Sequence, residues 1–223
     1  FMIDSNRLPI IYKNFYGQQQ HTFVGSKIFI KDLIEIFPTY EFFFKEASKL
    51  FSFDWKLIAS IGYQESRWRK DAVSYTGVKG IMMLTKDTAR EVGVEDRKDP
   101  RNSIFGGAKY LRSIYNRIDY KLDNNEKKWF AIAAYNIGLG HVEDAIMLAT
   151  KDGVDIRKWS DIEPYILMLS QSEYYKQTKY GYARGWETVK YVQNIKQYYD
   201  IIVFLDSQDK KVDEKDQEIP KTL

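Results

Sequence analysis

Glu65 is the residue whose type and position most directly suggest chemistry. Ile58, Ile61 and Glu65 stand at positions i, i+3 and i+7, so a helix would place the carboxyl group on an apolar face. Removal from water raises the pKa of a carboxyl group, and a glutamic acid that stays protonated near neutral pH can serve as the general acid of a glycosidase. The alternative is that the helix ends here, so that Glu65 reaches solvent and pairs with Arg67 or Arg69. Spacing alone leaves both interpretations open.

Composition excludes several other kinds of site. The 223-residue chain has no cysteine, which excludes thiolate nucleophiles, disulfides and cysteine-ligated zinc or iron–sulfur sites. Its two histidines, His21 and His141, are too far apart for a motif such as H-E-x-x-H, so we expect no metal and no cofactor. The net charge is only +3 and acids are interspersed among the bases, which argues against a nucleic-acid partner. No run reaches the roughly 18 to 20 apolar residues that span a bilayer.

The surrounding sequence predicts an all-α fold with Glu65 on a central helix. Apolar residues recur at helical spacings, and nothing alternates with period two for long enough to make a sheet. Asp54 is predicted to cap the helix from Trp55 to about Trp68, and Thr39 the helix before it. Further helices are expected over residues 27–37, 86–92, 102–118, 125–135, 141–149 and 186–205, with a short hairpin near 73–79.

Three segments are expected along the chain. Residues 1–26 show no sustained period and are interpreted as a linker or the remnant of a preceding domain. Residues 27–205 would form the helical domain. The charged residues 206–223 are expected to be a solvated or disordered tail. The chain begins at Phe1 without a basic and apolar leader, so we expect a removed signal or a fragment.

Four blocks of sequence carry a resemblance to a known family. In chain order they are Gln64–Trp68, Gly80–Thr85 with Thr88 and Ala89, Ala134–Val142, and Glu187–Ile195. Together they resemble the family 1 lytic transglycosylases of the goose-type lysozyme-like superfamily (glycoside hydrolase family 23), which cleave bacterial peptidoglycan. Gly80–Thr85 and Lys179–Gly185 are similar to the membrane-bound F branch of these lytic murein transglycosylases. The resemblance covers residues 28–204 and implies a lysozyme-like helical domain.

The resemblance also implies a context for the chain. In the F branch a regulatory domain like a periplasmic solute-binding protein precedes the catalytic domain, and residues 1–26 stand where its exit segment would be. The chain would then be the catalytic portion of a longer protein. Its partner would be the glycan strands of peptidoglycan in the periplasm of a Gram-negative bacterium. Association with the outer membrane would come through an anchor outside this chain.

The resemblance assigns the central role to Glu65. This residue would be the sole acid and base: it protonates the glycosidic oxygen between N-acetylmuramic acid and N-acetylglucosamine. The ionised carboxylate then accepts the proton of the muramoyl C6 hydroxyl as that oxygen attacks C1. The product would carry a 1,6-anhydromuramoyl end, and no water would be consumed. Tyr135 would place its hydroxyl near Glu65, although the residues alone favour a buried aromatic side chain at that position.

Six further residues are implied to bind substrate: Ser74, Met82, Asn136, Tyr182, Glu187 and Tyr191. Five of them have a structural alternative in the residues themselves. Ser74 suits a turn before Gly77, and Met82 suits core packing. Asn136 suits a helix C-terminal cap, whereas Glu187 suits a surface pair with Arg184 or Lys190. Tyr191 suits ordinary packing, and Tyr182 would belong to a loop with Gly181 and Arg184 over the cleft.

Two positions depart from the pattern of the family. Met83 stands where the broader family usually has glutamine, although the F branch shares the methionine, so a hydrogen bond from that side chain is absent. Val189 stands where some soluble relatives carry arginine, which bears on recognition of the stem peptide.

Three other functions compete with the transglycosylase interpretation. A lysozyme-type hydrolase would need a second carboxylate to activate water, and Asp71 and Asp87 lie near the relevant blocks. A non-catalytic peptidoglycan-binding module would keep the groove without the chemistry. A helical nucleic-acid binder would need a basic stripe, which the sequence does not show.

Overall fold

Helices supply the regular structure of the computed structural model, which describes residues 23–118, 120–122 and 125–217. These ranges contain no strand, and two isolated antiparallel bridges join Lys79 to Val73 and to Leu84. The predicted all-α class is confirmed. The expected hairpin near residues 73–79 is present only as a turn closed by the bridge between Val73 and Lys79. Most of the predicted linker, residues 1–22, lies outside the described residues.

The described helices begin and end as follows. In chain order they are α1 (Phe23–Glu35), a 3₁₀ helix (Phe37–Thr39), α2 (Glu41–Phe51), α3 (Trp55–Ser66), α4 (Lys86–Val92), α5 (Pro100–Arg117), α6 (Lys127–Ile137), α7 (Leu139–Lys151), α8 (Trp159–Met168), α9 (Ser172–Tyr175) and α10 (Gly185–Gln217).

Several boundaries differ from the sequence prediction. Helix α4 has the predicted bounds, whereas α1 begins at Phe23 instead of Lys27. The predicted end of the last helix at Leu205 is wrong, because α10 continues to Gln217 and so extends into segment 206–223. Helices α8 and α9 were not predicted. The division into segments 1–26, 27–205 and 206–223 stays a prediction.

The predicted cap at Thr39 is wrong. Thr39 closes the 3₁₀ helix, and Tyr40 stands at the N-cap of α2 with no capping hydrogen bond from its side chain. Glu41 in the first turn of α2 instead places a negative charge near the helix N-terminus, where the helix dipole favours it.

The chain forms two compact units. Within the described residues, the first comprises 23–85, 96–105 and 196–217, and the second comprises 86–95 and 106–195. The first unit therefore contains α1, α2 and α3, and the second contains α4, α6, α7, α8 and α9.

An aromatic cluster forms the core of the first unit. Phe37 stacks on Phe44 at 5.9 Å and lies 5.1 Å from Trp68, while Phe29 meets the ring of Tyr63 edge-on at 4.6 Å. Trp68 is wholly buried, and its indole N–H donates to Ala59 O at 2.8 Å, so its one polar atom is satisfied. These aromatic side chains therefore pack α1, α2, the 3₁₀ helix and the end of α3 together.

Helix α3 begins where predicted and ends earlier than predicted. Asp54 is the N-cap, and its carboxylate accepts from Lys56 N at 3.1 Å. The helix ends at Ser66 because Arg67 and Trp68 both have φ 57°, in the left-handed region that ends a right-handed helix. The backbone N–H of Arg67 donates to Tyr63 O at 2.7 Å and satisfies one of the last carbonyl groups.

The second unit packs α6, α7 and α8 together. Its core includes Trp159 and Phe130, whose rings meet edge-on at 5.7 Å. Gly138, with φ 93°, lies between α6 and α7 and changes the direction of the chain in a single residue. Among the residues that the structure describes, no helix has both the length and the apolar character needed to cross a membrane.

Candidate functional site

Glu65 is the penultimate residue of α3 and lines an open cleft of about 580 Å³ in the first unit. This volume lies within the usual range of ligand pockets. The side chain of Glu65 is partly exposed. The residues that line the cleft with it are Ile36, Tyr40, Ser66, Trp68, Arg69, Lys70, Asp71, Ala72, Val73 and Met83. A carboxyl group at a helix end therefore lines a space that can admit a ligand.

The end of α3 is held by an ion pair to α1. Arg67 donates to Asp32 through Nε at 3.1 Å and through Nη2 at 2.8 Å, and the Tyr63 hydroxyl donates to the same carboxylate oxygen at 2.9 Å. Burial, and then the hydrogen bond to Asp32, raise the pKa of Tyr63 well above its usual value. Arg67 was one of the two partners expected for Glu65 if that residue reached solvent, and its guanidinium binds the buried Asp32 instead.

Ser66 fastens the end of α3 to the loop 80–85. Its hydroxyl is buried and donates to Ile81 O at 2.9 Å and to Gly62 O at 3.3 Å. The other side of this loop is held by Ser103, whose hydroxyl accepts from Met82 N at 3.1 Å. The cleft beside Glu65 is thus bounded by a loop that hydrogen bonds fix at two points.

The structure contradicts the predicted role of Met82. This side chain has no exposed surface, so it packs in the core and cannot form a wall against a sugar ring. Met83 lines the cleft instead, with φ 47° in the left-handed region. Sequence reasoning noted Met83 only because the broader family has glutamine there, and that difference was the signal that the side chain faces the site.

Ser74 has a structural role in a tight turn. Its hydroxyl accepts from Val78 N at 3.2 Å and forms a hydrogen bond with the Thr76 hydroxyl at 2.9 Å, while Gly77 N donates to Ser74 O at 3.0 Å. Ser74 is not among the residues that line the Glu65 cleft. These contacts match the turn that was its alternative, and its contact with substrate stays a prediction.

Three of the predicted binding residues meet in a second pocket, of about 330 Å³, in the second unit. Asn136, Tyr182 and Glu187 line this pocket, and Tyr191 does not. Tyr191 is buried, as expected from ordinary packing. The remaining lining residues are Ile137, His141, Ala183, Arg184 and Thr188.

Hydrogen bonds inside this second pocket involve Glu187 and Asn136, whose contact with substrate stays a prediction. Arg184 donates to Glu187 at 3.1 Å, so the expected surface pair is present and faces the pocket. Thr188 donates to the Asn136 side-chain oxygen at 2.8 Å. Helix α6 is closed by the N–H of Gly138, which donates to Ala134 O. Val189, where some soluble relatives carry arginine, is buried.

His141 is a lining residue that sequence reasoning did not assign to the pocket. Its Nδ1 atom is buried without a hydrogen-bond partner among the described residues and lies 4.0 Å from Asp144. Asp144 accepts from Lys179 N at 3.0 Å and from Tyr180 N at 2.9 Å, which fixes the segment that leads to Tyr182. No three His, Asp or Glu side chains in the described part of the chain are grouped so that they could hold a metal ion.

Tyr135 belongs to the second unit, whereas Glu65 belongs to the first. Its ring is partly buried and meets Tyr110 edge-on at 5.4 Å. Burial, and then the charge of Glu91, raise the pKa of Tyr110. The predicted approach of the Tyr135 hydroxyl to Glu65 stays a prediction.

Comparison with protein families gives one clear match. The model of the transglycosylase SLT domain matches residues 42–156. A membrane-bound lytic murein transglycosylase F from Hahella chejuensis is 46% identical over 203 residues, which cover 91% of this chain and 40% of that protein. A protein of the same name from Pseudomonas fluorescens is 47% identical over 183 residues, covering 82% of this chain and 38% of its own. The chain therefore spans about two fifths of the length of these relatives.

Comparison with solved structures supports the same fold. The 70 kDa soluble lytic transglycosylase from Escherichia coli superposes with a TM-score of 0.55 at 22% identity, over 74% of this chain and 24% of that one. An inactive mutant of the lytic transglycosylase Slt from Pseudomonas aeruginosa gives a TM-score of 0.51 at 23% identity, over 70% of this chain and 22% of that one. The predicted lysozyme-like helical fold is confirmed.

Proposed function

Because the chain belongs to the family of transglycosylase SLT domains, we propose that it cleaves the β-1,4 bond between N-acetylmuramic acid and N-acetylglucosamine in peptidoglycan without water. The observation that supports this most directly is the position of Glu65 at the end of α3, on the wall of an open cleft. The names of the relatives support the choice of murein as substrate.

Glu65 acts twice in the proposed reaction. Its carboxyl group first gives a proton to the glycosidic oxygen, and the bond from that oxygen to C1 of muramic acid breaks. The C6 oxygen of the same sugar then forms a bond to C1, and its hydroxyl proton passes to the Glu65 carboxylate. The acid form is restored, and the product is a 1,6-anhydromuramoyl end. One carboxylate is enough because the nucleophile belongs to the substrate, whereas hydrolytic glycosidases use two.

The local structure supports an acid at this position. The last carbonyl groups of a helix carry partial negative charge, which opposes ionisation of a carboxyl group in the final turn. Ser66 and Arg67, the next two residues, are hydrogen-bonded to Ile81 and Asp32. The backbone that carries Glu65 is thereby fixed, and a positioned general acid is more effective than a mobile one.

The remaining roles of the site residues follow the family resemblance. We propose that Tyr135 orients the Glu65 carboxyl group, and that Asn136, Tyr182 and Glu187 bind substrate in their shared pocket. We propose that Ser74 and Tyr191 also contact the substrate, although neither is among the residues that line these two pockets. The chain would act in the periplasm, attached to the outer membrane through a segment outside this sequence. A solute-binding-like regulatory domain would precede it in the full protein.

Digestion of purified peptidoglycan, followed by mass spectrometry of the muropeptides, tests the proposal. We expect products lighter by one water than those of a lysozyme, and none from Glu65→Gln, because an amide cannot give and retrieve the proton. Full activity of this nearly isosteric variant would refute the single-acid mechanism. A complete lack of products from the unmodified chain would favour the non-catalytic binding module.

Asp71 makes the hydrolytic alternative testable in the same assay. This residue lines the cleft with Glu65, whereas Asp87 lies on α4 in the second unit. If Asp71 activated water, the products of the unmodified chain would have ordinary reducing ends, and Asp71→Asn would abolish them. Anhydro products that persist in Asp71→Asn would exclude that role.

A further inference from the structure

Two cationic side chains of the Glu65 cleft have no acidic partner. Arg69 and Lys70 follow the end of α3, line the cleft and are exposed. Neither forms an ion pair with a carboxylate in the part of the chain that the structure describes. An exposed lysine or arginine on an open surface is well solvated by water. Two adjacent cations that line a cleft and have no carboxylate partner favour an anionic ligand there.

The charges on the wall of the cleft leave it net positive. Arg69 and Lys70 contribute two positive charges and Asp71 one negative charge, and Glu65 in its acid form contributes none. Burial and then the charge of Asp71 raise the pKa of the Tyr40 hydroxyl, and both residues line the cleft. The net charge is therefore +1 when Glu65 is ready to act as the acid.

Two hydrogen bonds hold Arg69 against the end of α3. Its Nε donates to Ser66 O at 3.1 Å, and its backbone N–H donates to the same carbonyl at 3.2 Å. This pair of hydrogen bonds fixes the root of the guanidinium one residue from Glu65. The terminal nitrogen atoms carry N–H groups in the fork geometry that suits a carboxylate.

We propose that Arg69 and Lys70 bind carboxylates of the stem peptide, the short acidic peptide that hangs from muramic acid. This inference rests on the proposed function, since it places the substituted sugar beside Glu65. A peptide of four residues reaches at most about 14 Å when extended, so its carboxylates stay within reach of a cleft that holds the muramoyl ring. The cleft would then select strands that carry peptides over bare strands.

The test compares two substrates for one set of variants. Uncrosslinked strands with intact peptides, and the same strands stripped of peptides by an amidase, are digested and the anhydro ends are counted. We expect the unmodified chain to prefer the peptide-bearing strands. Arg69→Gln and Lys70→Gln should each lower kcat/KM on those strands up to about fivefold, as expected for loss of an exposed ion pair. The double variant should bring the ratio of the two substrates close to one.

Lys98→Gln is the matched control, because this exposed lysine of the same unit lies outside the lining of the cleft. Its preference should equal that of the unmodified chain. Added salt should reduce the preference of the unmodified chain and have little effect on the double variant. Anhydro ends formed with the same substrate ratio by all variants would overturn the peptide site alone. A lack of anhydro ends from the unmodified chain on both substrates would overturn the proposed function.

Discussion

Replacement of Gly80 by alanine should be among the most damaging single-methyl changes in the first unit. A Cβ atom at this position would lie 1.8 Å from Arg97 O and 2.7 Å from the Ser103 hydroxyl oxygen. The residue also has φ 83°, which L-residues rarely adopt. Left-handed strain costs about 1–2 kcal/mol, and overpacking against a backbone carbonyl adds about 1–3 kcal/mol. Because alanine also lowers the entropy of the unfolded chain, which stabilises the fold by about 0.4–1 kcal/mol, we expect a net loss of about 3 kcal/mol.

Gly77→Ala supplies a control that shares the strain and lacks the clash. Gly77 has φ 80°, and nothing lies within 4 Å of a Cβ built there. We expect this variant to lose only about 1 kcal/mol, from strain less the entropy gain. Both residues belong to the segment between Trp68 and Thr85, so they report on the same part of the fold.

Urea denaturation followed by circular dichroism measures the difference. The two variants should keep the m-value of the unmodified chain and differ in midpoint, with Gly80→Ala less stable by about 2 kcal/mol. For a chain of this size each kcal/mol lowers Tm by about 2–4 °C, so thermal melting gives a second reading. Equal midpoints for the two variants would refute the argument that Arg97 closes over Gly80.

Three further predictions concern single side chains. Tyr135→Phe should lower the turnover of peptidoglycan without abolishing it, and an unchanged rate in the muropeptide assay would return Tyr135 to a packing role. Ser66→Ala should cost about 1–3 kcal/mol in urea denaturation, because Ile81 O loses its buried donor, and a change under 0.5 kcal/mol would contradict this. Burial and then the charge of Asp54 raise the pKa of Tyr199 to about 12, above its unfolded value of about 10. The protonated hydroxyl of Tyr199 should therefore stabilise the fold below pH ~10, and this contribution should be lost as the pH rises from ~10 to ~12. Between these two pH values the urea midpoint of Tyr199→Phe should fall less than that of the unmodified chain. An equal fall in both proteins would refute the raised pKa of Tyr199.

Local signals in the sequence predicted the elements around Glu65 well. Asp54 caps α3 as expected, because an aspartate before an apolar run has a simple hydrogen-bonding role. Helix α4 has the predicted bounds. Helix α8 was missed because Pro164 lies inside it, and proline usually ends a helix since it lacks an N–H and crowds the preceding turn. The buried side chains of Trp159 and Ile162 stabilise α8 despite that proline.

The cleft itself could be predicted only in part. Glu65 and the residues just after it are neighbours in sequence, so their common location follows from the end of one helix. Ile36, Tyr40 and Met83 join them through tertiary packing that no short motif encodes. The family resemblance predicts that Glu65 is the acid, and it contains no information about Arg69 or Lys70 because other positions carry it.

The misassignment of Met82 has a specific physical cause. In a helix or a strand, a periodic pattern tells which of two adjacent side chains faces the core, but loop 80–85 has neither period. Met83 adopts φ 47°, and the bridge between Lys79 and Leu84 closes the loop around it, so adjacent methionines point to opposite environments. Met82 is then drawn into the core, where its sulfur approaches the Cα side of Gly62 in α3 at a distance that leaves little room for a larger residue. The same fold that buries Met82 exposes Met83 to the cleft, so Met83 takes the place beside Glu65 that was predicted for Met82.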